Sequence, residues 1–303
     1  MRLLNVFIAL VFLMPIIGCQ QQSSPRLDNK QYLADIERWH QKRIADLKSD
    51  TGWLNLVGLF WLKQGKNTFG SGPQNDIVFP RKAPKRIGTF FLKNGHVMVK
   101  IRSNVNVYYQ KNKVTSLALT PDTEDNKTVL NLGSFRWFII KRGDAFGVRL
   151  RDLDSSLVSD FPGVERFPVD QKWHLTATLE PYDPPKSIPI PTVLGTTIHE
   201  PSPGALVFKI HGKTYKLDAL DDDGGYWVIF GDETNGEETY GGGRFLVIDK
   251  PDSLGKLIID FNKAYDPPCA FTRFATCPLP PVQNRLAVKI EAGEKAYHGP
   301  GGH

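Results

Sequence analysis

Short apolar segments separated by turn-forming residues run through most of this 303-residue chain and constrain its fold more than any other feature. Residues 90–92 and 97–101 flank Asn94-Gly95, a dipeptide that favours a two-residue β-hairpin. Arg142-Gly143-Asp144 and His211-Gly212-Lys213 separate two further pairs of alternating segments. Because many short strands with regular turn signals pack as sandwiches or barrels, the pattern predicts a mainly β protein.

One segment departs from the β pattern and has helical periodicity. Asp28 and Gln31 can form the capping box that begins such a helix. We expect the helix to pack as a strap against the first β domain. Its apolar face consists of Tyr32, Leu33, Ile36, Trp39, Ile44 and Leu47.

Proline-rich segments near residue 165 divide the chain into two halves. Residues 28–165 are expected to hold the N-terminal helix and a β-sandwich. Residues 166–303 are expected to form a second β-rich domain, which is either barrel-like or a sandwich. Pro189 and Pro191 predict an edge strand or an extended linker, because proline cannot donate to a sheet ladder.

The first residues have the three-part layout of a secretory signal peptide. Arg2 precedes an apolar segment, and Gly18-Cys19 follows it, which resembles the lipobox of bacterial lipoproteins. The resemblance implies a signal peptide at residues 1–18, a lipidated Cys19 that carries palmitate, and a tether at residues 19–27. A membrane-spanning helix is the alternative, but the apolar segment is shorter than the roughly 20 residues that a span needs. The lipobox resemblance implies export and lipid anchoring to the cell envelope. Gln20 after the cysteine, in place of Asp, implies delivery to the periplasmic side of the outer membrane in a Gram-negative cell.

The formal net charge is +6, and the basic residues are scattered without a stripe. This distribution does not favour nucleic-acid binding. A mild positive excess is compatible with a negatively charged ligand or membrane surface. No second segment of the sequence is apolar enough to span a membrane, so the lipid on Cys19 is the predicted membrane contact.

The last third of the chain, residues 221–295, combines glycine, proline, cysteine and polar residues at high density without low complexity. Gly241-Gly242-Gly243-Arg244 can present backbone N–H groups and a guanidinium to an anion, and Arg285 can supply a second guanidinium. The alternative is a tight β turn with a salt-bridged arginine, because glycine-rich turns are common in sheets. A Walker loop is excluded, since no Gly-Lys-Ser/Thr sequence opens a helix.

Amides, hydroxyls and carboxylates in this region are typical of a pocket that holds a small polar or anionic ligand. They can equally satisfy buried backbone groups in irregular loops, which would make the chain a structural envelope protein without a ligand. The predicted ligand-binding residues are Asp232, Thr234, Tyr240, Arg244, Asp260, Asn262, Tyr265, Asn284 and Arg285.

A cofactor-independent hydrolase is the alternative from a different class of protein. It needs two of Asp232, Asp260 and Glu291 to face one cleft about 5–10 Å apart, as glycosidase carboxylates do. The sequence contains no recognisable metal or cofactor motif. Asp221-Asp222-Asp223 fits a solvated hairpin tip better than a calcium site.

Cys269 and Cys277 are the cysteines other than Cys19. In an exported protein they can form a disulfide. A pair of free structural thiols is the alternative. A catalytic cysteine is the least favoured reading, because the block contains no histidine to act as its base. Two cysteines alone cannot complete a tetrahedral zinc site.

Residues 67–80, followed by a strand, Asn94-Gly95 and another strand, resemble the start of a forkhead-associated sandwich. Those domains bind phosphothreonine through an arginine after the first glycine and a later Ser-x-x-His. Here Ser71 follows Gly70, and residues 83–86 replace the second motif. The resemblance therefore implies architecture and not phosphopeptide binding.

Further motifs recur together in one known family. They are Arg38-Trp39, Gly52-Trp53-Leu54, Phe161-Pro162-Gly163, residues 232–246, Asp260-Phe261-Asn262, Ala264-Tyr265, residues 267–271, residues 277–281, Asn284-Arg285-Leu286 and residues 292–295. On these residues the mature chain resembles the bacterial and archaeal domain-of-unknown-function family number 1684. The resemblance implies no known activity.

Overall fold

The computed structural model describes residues 29–253 and 255–302. The predicted signal peptide, the lipidation site at Cys19, the tether and the Asp28 cap lie outside the described residues. Within the two described ranges, no helix has both the length and the hydropathy that a membrane span requires.

The helices and strands follow one another in an order that separates two β regions. Helix α1 spans Asn29–Lys48, as its periodicity predicted, and the one-turn helix α2 spans Ser156–Ser159. The strands before α2 are β1 (Leu56–Trp61), β2 (Gly65–Gly70), β3 (Ile77–Val78), β4 (Gly88–Lys93), β5 (His96–Ile101), β6 (Tyr108–Tyr109), β7 (Asn112–Lys113), β8 (Ser116–Leu119), β9 (Leu130–Leu132), β10 (Phe135–Arg142) and β11 (Ala145–Asp152). The strands after it are β12 (His174–Pro191), β13 (Thr197–Ile210), β14 (Lys213–Asp222), β15 (Gly225–Phe230), β16 (Arg244–Asp249) and β17 (Lys256–Asp260).

The N-terminal β region is a sandwich of two sheets. One has the strand order β1-β11-β10-β9-β6-β7 and the other β3-β2-β4-β5-β8. Alternate residues of β5 point into the space between them, as a half-buried strand requires. Aromatic side chains fill the centre, where the rings of Phe69 and Phe90 stack with centroids 4.2 Å apart and Trp137 is fully buried. The predicted β-sandwich is confirmed.

The hairpins form where the turn dipeptides predicted them. Asn94 and Gly95 join β4 to β5 with φ angles of 51° and 75°. A type I′ turn needs two consecutive left-handed residues, and Asn and Gly adopt this conformation at the lowest cost. The pairs β10 with β11 and β13 with β14 form around the other two predicted turns.

The C-terminal β region is one curled sheet with the strand order β16-β15-β14-β13-β12-β17. The sheet is nearly closed and barrel-like, so the predicted second β-rich domain is confirmed. Burying apolar surface inside it contributes roughly 25 cal/mol for each Å² removed from water. Fully buried interior side chains include Leu206, Leu217, Val228, Phe230, Ile259 and Phe261.

The prolines of β12 lie at a sheet edge. Among the described strands, residues 186–191 pair with β13 alone, whereas residues 174–178 also lie against β17. The register with β13 shifts between Pro181 and Lys186. Because these prolines deprive no second neighbour of a hydrogen bond, the segment is the edge strand that Pro189 and Pro191 predicted.

Helix α1 is anchored to the C-terminal β region, so the prediction that it straps the first β domain is wrong. The Tyr32 hydroxyl donates to the Asp260 carboxylate at 3.0 Å. The Arg43 Nε donates to the Glu294 carboxylate at 3.2 Å. Helical periodicity reveals which face of a helix is apolar, but it does not reveal which sheet covers that face.

Candidate functional site

Arg244 and Asp232 form an ion pair in the protein interior. Arg244 begins β16 directly opposite Phe230, the last residue of β15, and Asp232 follows two residues later. The Nη2 of Arg244 donates to Oδ2 of Asp232 at 2.7 Å, and both side chains are fully buried. The guanidinium also donates to the carbonyls of Ile290, Ala292 and Glu294. The protein itself therefore engages Arg244, which gives it a structural role in place of the predicted anion contact.

The glycines before Arg244 form a tight turn. The N–H of Gly243 donates to the carbonyl of Tyr240 at 3.1 Å. Gly243 has a φ of 82°, and a Cβ there would lie 2.3 Å from Pro280. Only glycine meets both conditions without displacing its neighbours. The segment has the geometry of the tight-turn alternative, in which the arginine is salt-bridged.

Asp232 also organises the loop that follows it. Its Oδ1 accepts hydrogen bonds from the backbone N–H of Thr234 at 2.8 Å and from the Thr234 hydroxyl at 2.5 Å. The Thr234 hydroxyl lies 2.8 Å from that of Thr239, and Asn235 donates to Thr239 at 2.9 Å. The polar groups of this loop are thus bonded to one another, as irregular buried backbone requires.

Asp260 and Asn262 hold helix α1 against the end of β17. Asp260 caps the 3-10 turn Phe261–Lys263 by accepting from the Asn262 N–H at 3.1 Å. The Asn262 side chain donates to the Tyr32 hydroxyl at 2.8 Å and to the Asp170 carbonyl at 2.9 Å. Burial, followed by the charge of Asp260, raises the pKa of Tyr32, so its hydroxyl remains a donor. This network joins three separate segments of the chain.

Asn284 and Tyr265 are also held by internal contacts. Asn284 donates to the carbonyls of Asp218 and Ile229, each at 2.9 Å, and accepts from the Asp218 N–H at 2.7 Å. It therefore supplies hydrogen bonds that β14 and β15 do not make to each other. The ring of Tyr265 lies edge-on to Phe245 and beneath the Arg43 guanidinium, 4.7 Å from the ring centroid.

Arg285 lies apart from this interior. Its side chain is exposed, whereas that of Arg244 is fully buried. The two arginines therefore do not meet in one open pocket. A binding role for Arg285 alone stays a prediction.

The three carboxylates of the hydrolase alternative do not line one groove. Asp232 and Asp260 belong to the two buried networks described above. Glu291 lines an open groove of about 680 Å³ beside the 3-10 turn Gln171–Trp173. Asp170 and Lys172 line this groove as well, so it presents both signs of charge.

A second groove lies between β1 of the sandwich and the loops of the C-terminal region. Its volume is about 490 Å³, within the range of small-molecule sites. We call it the Cys269 groove. Its lining residues are Leu59 and Trp61 of β1, Val193 and Leu194 of the β12–β13 turn, Tyr240, Cys269 and residues 272–275.

The Cys269 groove combines apolar walls with positive charge. Trp61, Val193 and Leu194 expose 39%, 43% and 37% of their surface. Arg273 lies at the edge, and none of the described residues that line the groove is acidic. Such a surface favours a ligand with an apolar body and an anionic group.

A buried arginine adds to the charge behind the groove. Arg149 on β11 is 4% exposed, and no described carboxylate lies within ion-pair distance of it. It donates to the Thr276 hydroxyl at 3.2 Å and lies 5.7 Å from the ring of Trp53. Burial, together with the charge of Arg142, lowers the pKa of Arg149 to about 10, which leaves it positive at neutral pH.

Cys269 and Cys277 are free thiols in this structure, so no disulfide joins them here. Their loops meet nonetheless, because the Cys269 N–H donates to the Cys277 sulfur at 3.1 Å. Tyr240 packs against the two cysteines, and burial raises its pKa to about 12. Of the predicted ligand-binding residues, Tyr240 lines the Cys269 groove.

Sequence reasoning did not identify Trp61, Arg149 or Arg273 as site residues. A signal for Arg149 was present, because it alternates with the core residues Val148 and Leu150 on β11 and so faces away from the sandwich core. Nothing in the sequence shows that loop residues 272–276 cover that outer face. The fold and the groove define a protein in which a β-sandwich and a barrel-like β domain enclose a cleft.

Residues 159–295 match the family model described as "Protein of unknown function (DUF1684)". This segment, which contains β12 to β17, belongs to the family. No curated protein matches the chain.

Three solved structures illustrate the similarity to known folds. An uncharacterised protein of Haloarcula marismortui, solved by NMR, is 30% identical over 46% of this chain and 80% of its own, with a TM-score of 0.39. The FHA domain of FhaA is 13% identical over 31% of this chain and 97% of its own, with a TM-score of 0.22. The N-terminal FHA domain of S. cerevisiae Rad53p, solved with a phosphothreonine peptide, is 15% identical over 34% of this chain and 74% of its own, with a TM-score of 0.16. FHA domains are thus among the solved structures that are similar to this chain.

Proposed function

We propose that this protein binds a small amphiphilic anion, such as an alkyl carboxylate, in the Cys269 groove. The observation that carries the proposal is the combination, in one groove, of exposed apolar side chains with Arg273 and no acidic lining residue among those described. The predicted anionic ligand is retained, but its contacts move from Arg244 and Arg285 to Arg273 and the apolar walls.

The shape of the site determines how such a ligand would bind. The alkyl chain would lie against Trp61, Val193 and Leu194, because burying these exposed apolar surfaces is favourable. The carboxylate would accept hydrogen bonds from Arg273, whose planar guanidinium matches a carboxylate with two parallel donors. Arg149 would add a long-range attraction from behind the wall.

Thermal shift of residues 26–303 with dodecanoate, dodecanol and acetate tests this function. Dodecanoate at 100 times its Kd should stabilise the protein by about 2.7 kcal/mol and raise the Tm. Dodecanol should bind more weakly because it lacks the charge, and acetate should give no shift because it lacks the chain. Arg273→Gln should weaken dodecanoate binding about tenfold, since a charge-assisted hydrogen bond contributes about 1.5–3 kcal/mol.

Two matched controls separate the groove from general surface effects. Arg285→Gln removes another exposed arginine and should leave dodecanoate binding unchanged. Val193→Asp should abolish binding, whereas Val247→Asp, at a valine 49% exposed on β16, should not. Equal losses in Arg273→Gln and Arg285→Gln would contradict the proposal. No shift with any probe would favour the structural alternative.

We further propose that Cys19 is lipidated and anchors the protein to the cell envelope. The proposal rests on the signal-peptide layout and the Gly18-Cys19 sequence. In bacteria grown with labelled palmitate, the full chain should incorporate the label and sediment with membranes. The variant Cys19→Ser should lose the label, and labelling that persists in that variant would exclude Cys19 as the attachment site.

A further inference from the structure

Two thiols with different access to solvent meet at the wall of the Cys269 groove. Cys269 lies in the 3-10 turn Pro268–Ala270 and lines the groove, with 8% of its surface exposed. Cys277 is 4% exposed and is not one of the lining residues. An external reagent that enters the groove would therefore reach Cys269 before Cys277.

The two residues are close enough to be joined by a disulfide. The Cys269 nitrogen lies 3.1 Å from the Cys277 sulfur. Because the N–Cα bond is about 1.5 Å long, that sulfur is at most about 4.6 Å from the Cys269 Cα. The two thiols also hydrogen-bond to each other, so a rotation of the Cys269 side chain would bring the sulfurs toward bonding distance.

The surroundings favour a thiolate on Cys269. A hydrogen bond from Cys277 is the main cause that lowers the pKa of Cys269, and the Arg149 charge adds to it. The same hydrogen bond and burial raise the pKa of Cys277. A thiol of lowered pKa beside a positive charge is the reactive member of a cysteine pair.

We propose that Cys269 and Cys277 form a redox-active dithiol that reacts with an external disulfide of the glutathione class through the Cys269 groove. Cys269 is the attacking thiol and Cys277 the resolving thiol. The proposal goes beyond ligand binding and does not depend on it.

The reaction proceeds in two exchange steps. The Cys269 thiolate attacks one sulfur of the external disulfide, which forms a mixed disulfide and expels the other half as a thiolate. Cys277 then gives its proton to that departing thiolate or to solvent, attacks the Cys269 sulfur and releases the second half. Two electrons and two protons pass in total from the cysteines to the external disulfide, which becomes two thiols.

Oxidised glutathione and intact-mass spectrometry test the proposal on the full chain. The background carries Cys19→Ser, so that Cys269 and Cys277 are its only cysteines. At neutral pH this protein should lose two hydrogens, and peptide mapping should link the two residues. Cys277→Ser should accumulate one glutathionyl group, because the resolving thiol is absent while the serine hydroxyl can still donate a hydrogen bond to Cys269.

The comparison with Cys269→Ser decides the roles of the two thiols. That variant should form the mixed disulfide at least about threefold more slowly than Cys277→Ser, because Cys277 is less exposed and its raised pKa leaves less thiolate, while the weaker nucleophilicity of the Cys269 thiolate offsets only part of this difference. When both variants are unfolded in guanidinium, they should react with oxidised glutathione at the same rate. Near-UV circular dichroism should show that both variants are folded in the absence of guanidinium. Equal rates in the folded variants would overturn the proposal. The proposal would also be overturned if the two cysteines stayed reduced in the folded protein while those of the unfolded chain became oxidised.

Discussion

Arg244→Leu is expected to lower the free energy of unfolding by about 3–5 kcal/mol, because it leaves the buried carboxylate of Asp232 without its counter-charge. The loss is large because both side chains are fully buried and 2.7 Å apart. The variant also removes donors from the carbonyls of Ile290 and Ala292. Urea unfolding, followed by tryptophan fluorescence, measures the change as a shift of the midpoint.

The double variant Asp232→Asn with Arg244→Leu isolates the charge effect. It removes the unpaired carboxylate, so it should be more stable than Arg244→Leu alone. Arg285→Leu is the matched control at an exposed arginine of the same region and should change stability by less than about 0.5 kcal/mol. If Arg244→Leu had the wild-type midpoint, Arg244 would not hold the C-terminal loops together.

Asp266→Asn is expected to stabilise the protein at neutral pH. Asp266 is fully buried, and neither carboxyl oxygen has a hydrogen bond of normal geometry. Burial is the main cause that raises the pKa of Asp266 well above its usual range, and the nearby Glu294 adds to it. Asparagine has a similar shape without the ionisation, so it avoids the cost of a buried charge.

The pH dependence has a definite sign. Because the folded state holds the Asp266 proton more tightly than the unfolded chain, it binds more protons between pH 4 and its raised pKa, and its stability falls as pH rises through that window. The difference in free energy of unfolding between Asp266→Asn and the wild type should therefore grow by up to about 1.4 kcal/mol for each pH unit above about pH 4. It should level off once the pH exceeds the raised pKa of Asp266. Unfolding midpoints of both proteins across this window measure the difference.

Asp144→Asn provides the control for that series. Asp144 is exposed in the turn between β10 and β11, so its substitution removes a surface carboxylate and should change the free energy of unfolding by less than about 0.5 kcal/mol. If Asp266→Asn stabilised the protein by the same amount at pH 4 and pH 8, the Asp266 side chain would affect stability through its packing and not through its proton.

Local features of the fold could be predicted because their causes are local. The φ values of Asn94 and Gly95 follow from the steric freedom of those two residues, and alternation along β5 follows from the geometry of a single strand. The helix at residues 29–48 follows in the same way from its periodicity. The partner of that helix did not follow, because Asp260 is 228 residues away from Tyr32 along the chain.

The candidate site, like the fold, could be predicted only in part from the sequence. Sequence reasoning identified the polar residues of the C-terminal block and noted that they could serve either a ligand or the backbone. The structure places Arg244, Asp260 and Asn284 in buried networks, where hydrogen bonds to carbonyls and carboxylates use their polar groups. Arg273 was missed because it looks like an ordinary surface residue. Trp61 was missed because it stands in an apolar segment that looks like core, whereas it is 39% exposed and lines the groove beside the loop at residues 272–275.

By itself, the sequence determined the β character, the hairpins, the helix, the family and the region where polar residues concentrate. The tertiary structure alone decided which of those residues are enclosed, which sheet covers helix α1 and where an open groove remains. The physical reason is the range of the interactions. Turn and strand preferences act between adjacent residues, whereas burial and ion pairing depend on segments that are far apart in the chain and meet only when it folds.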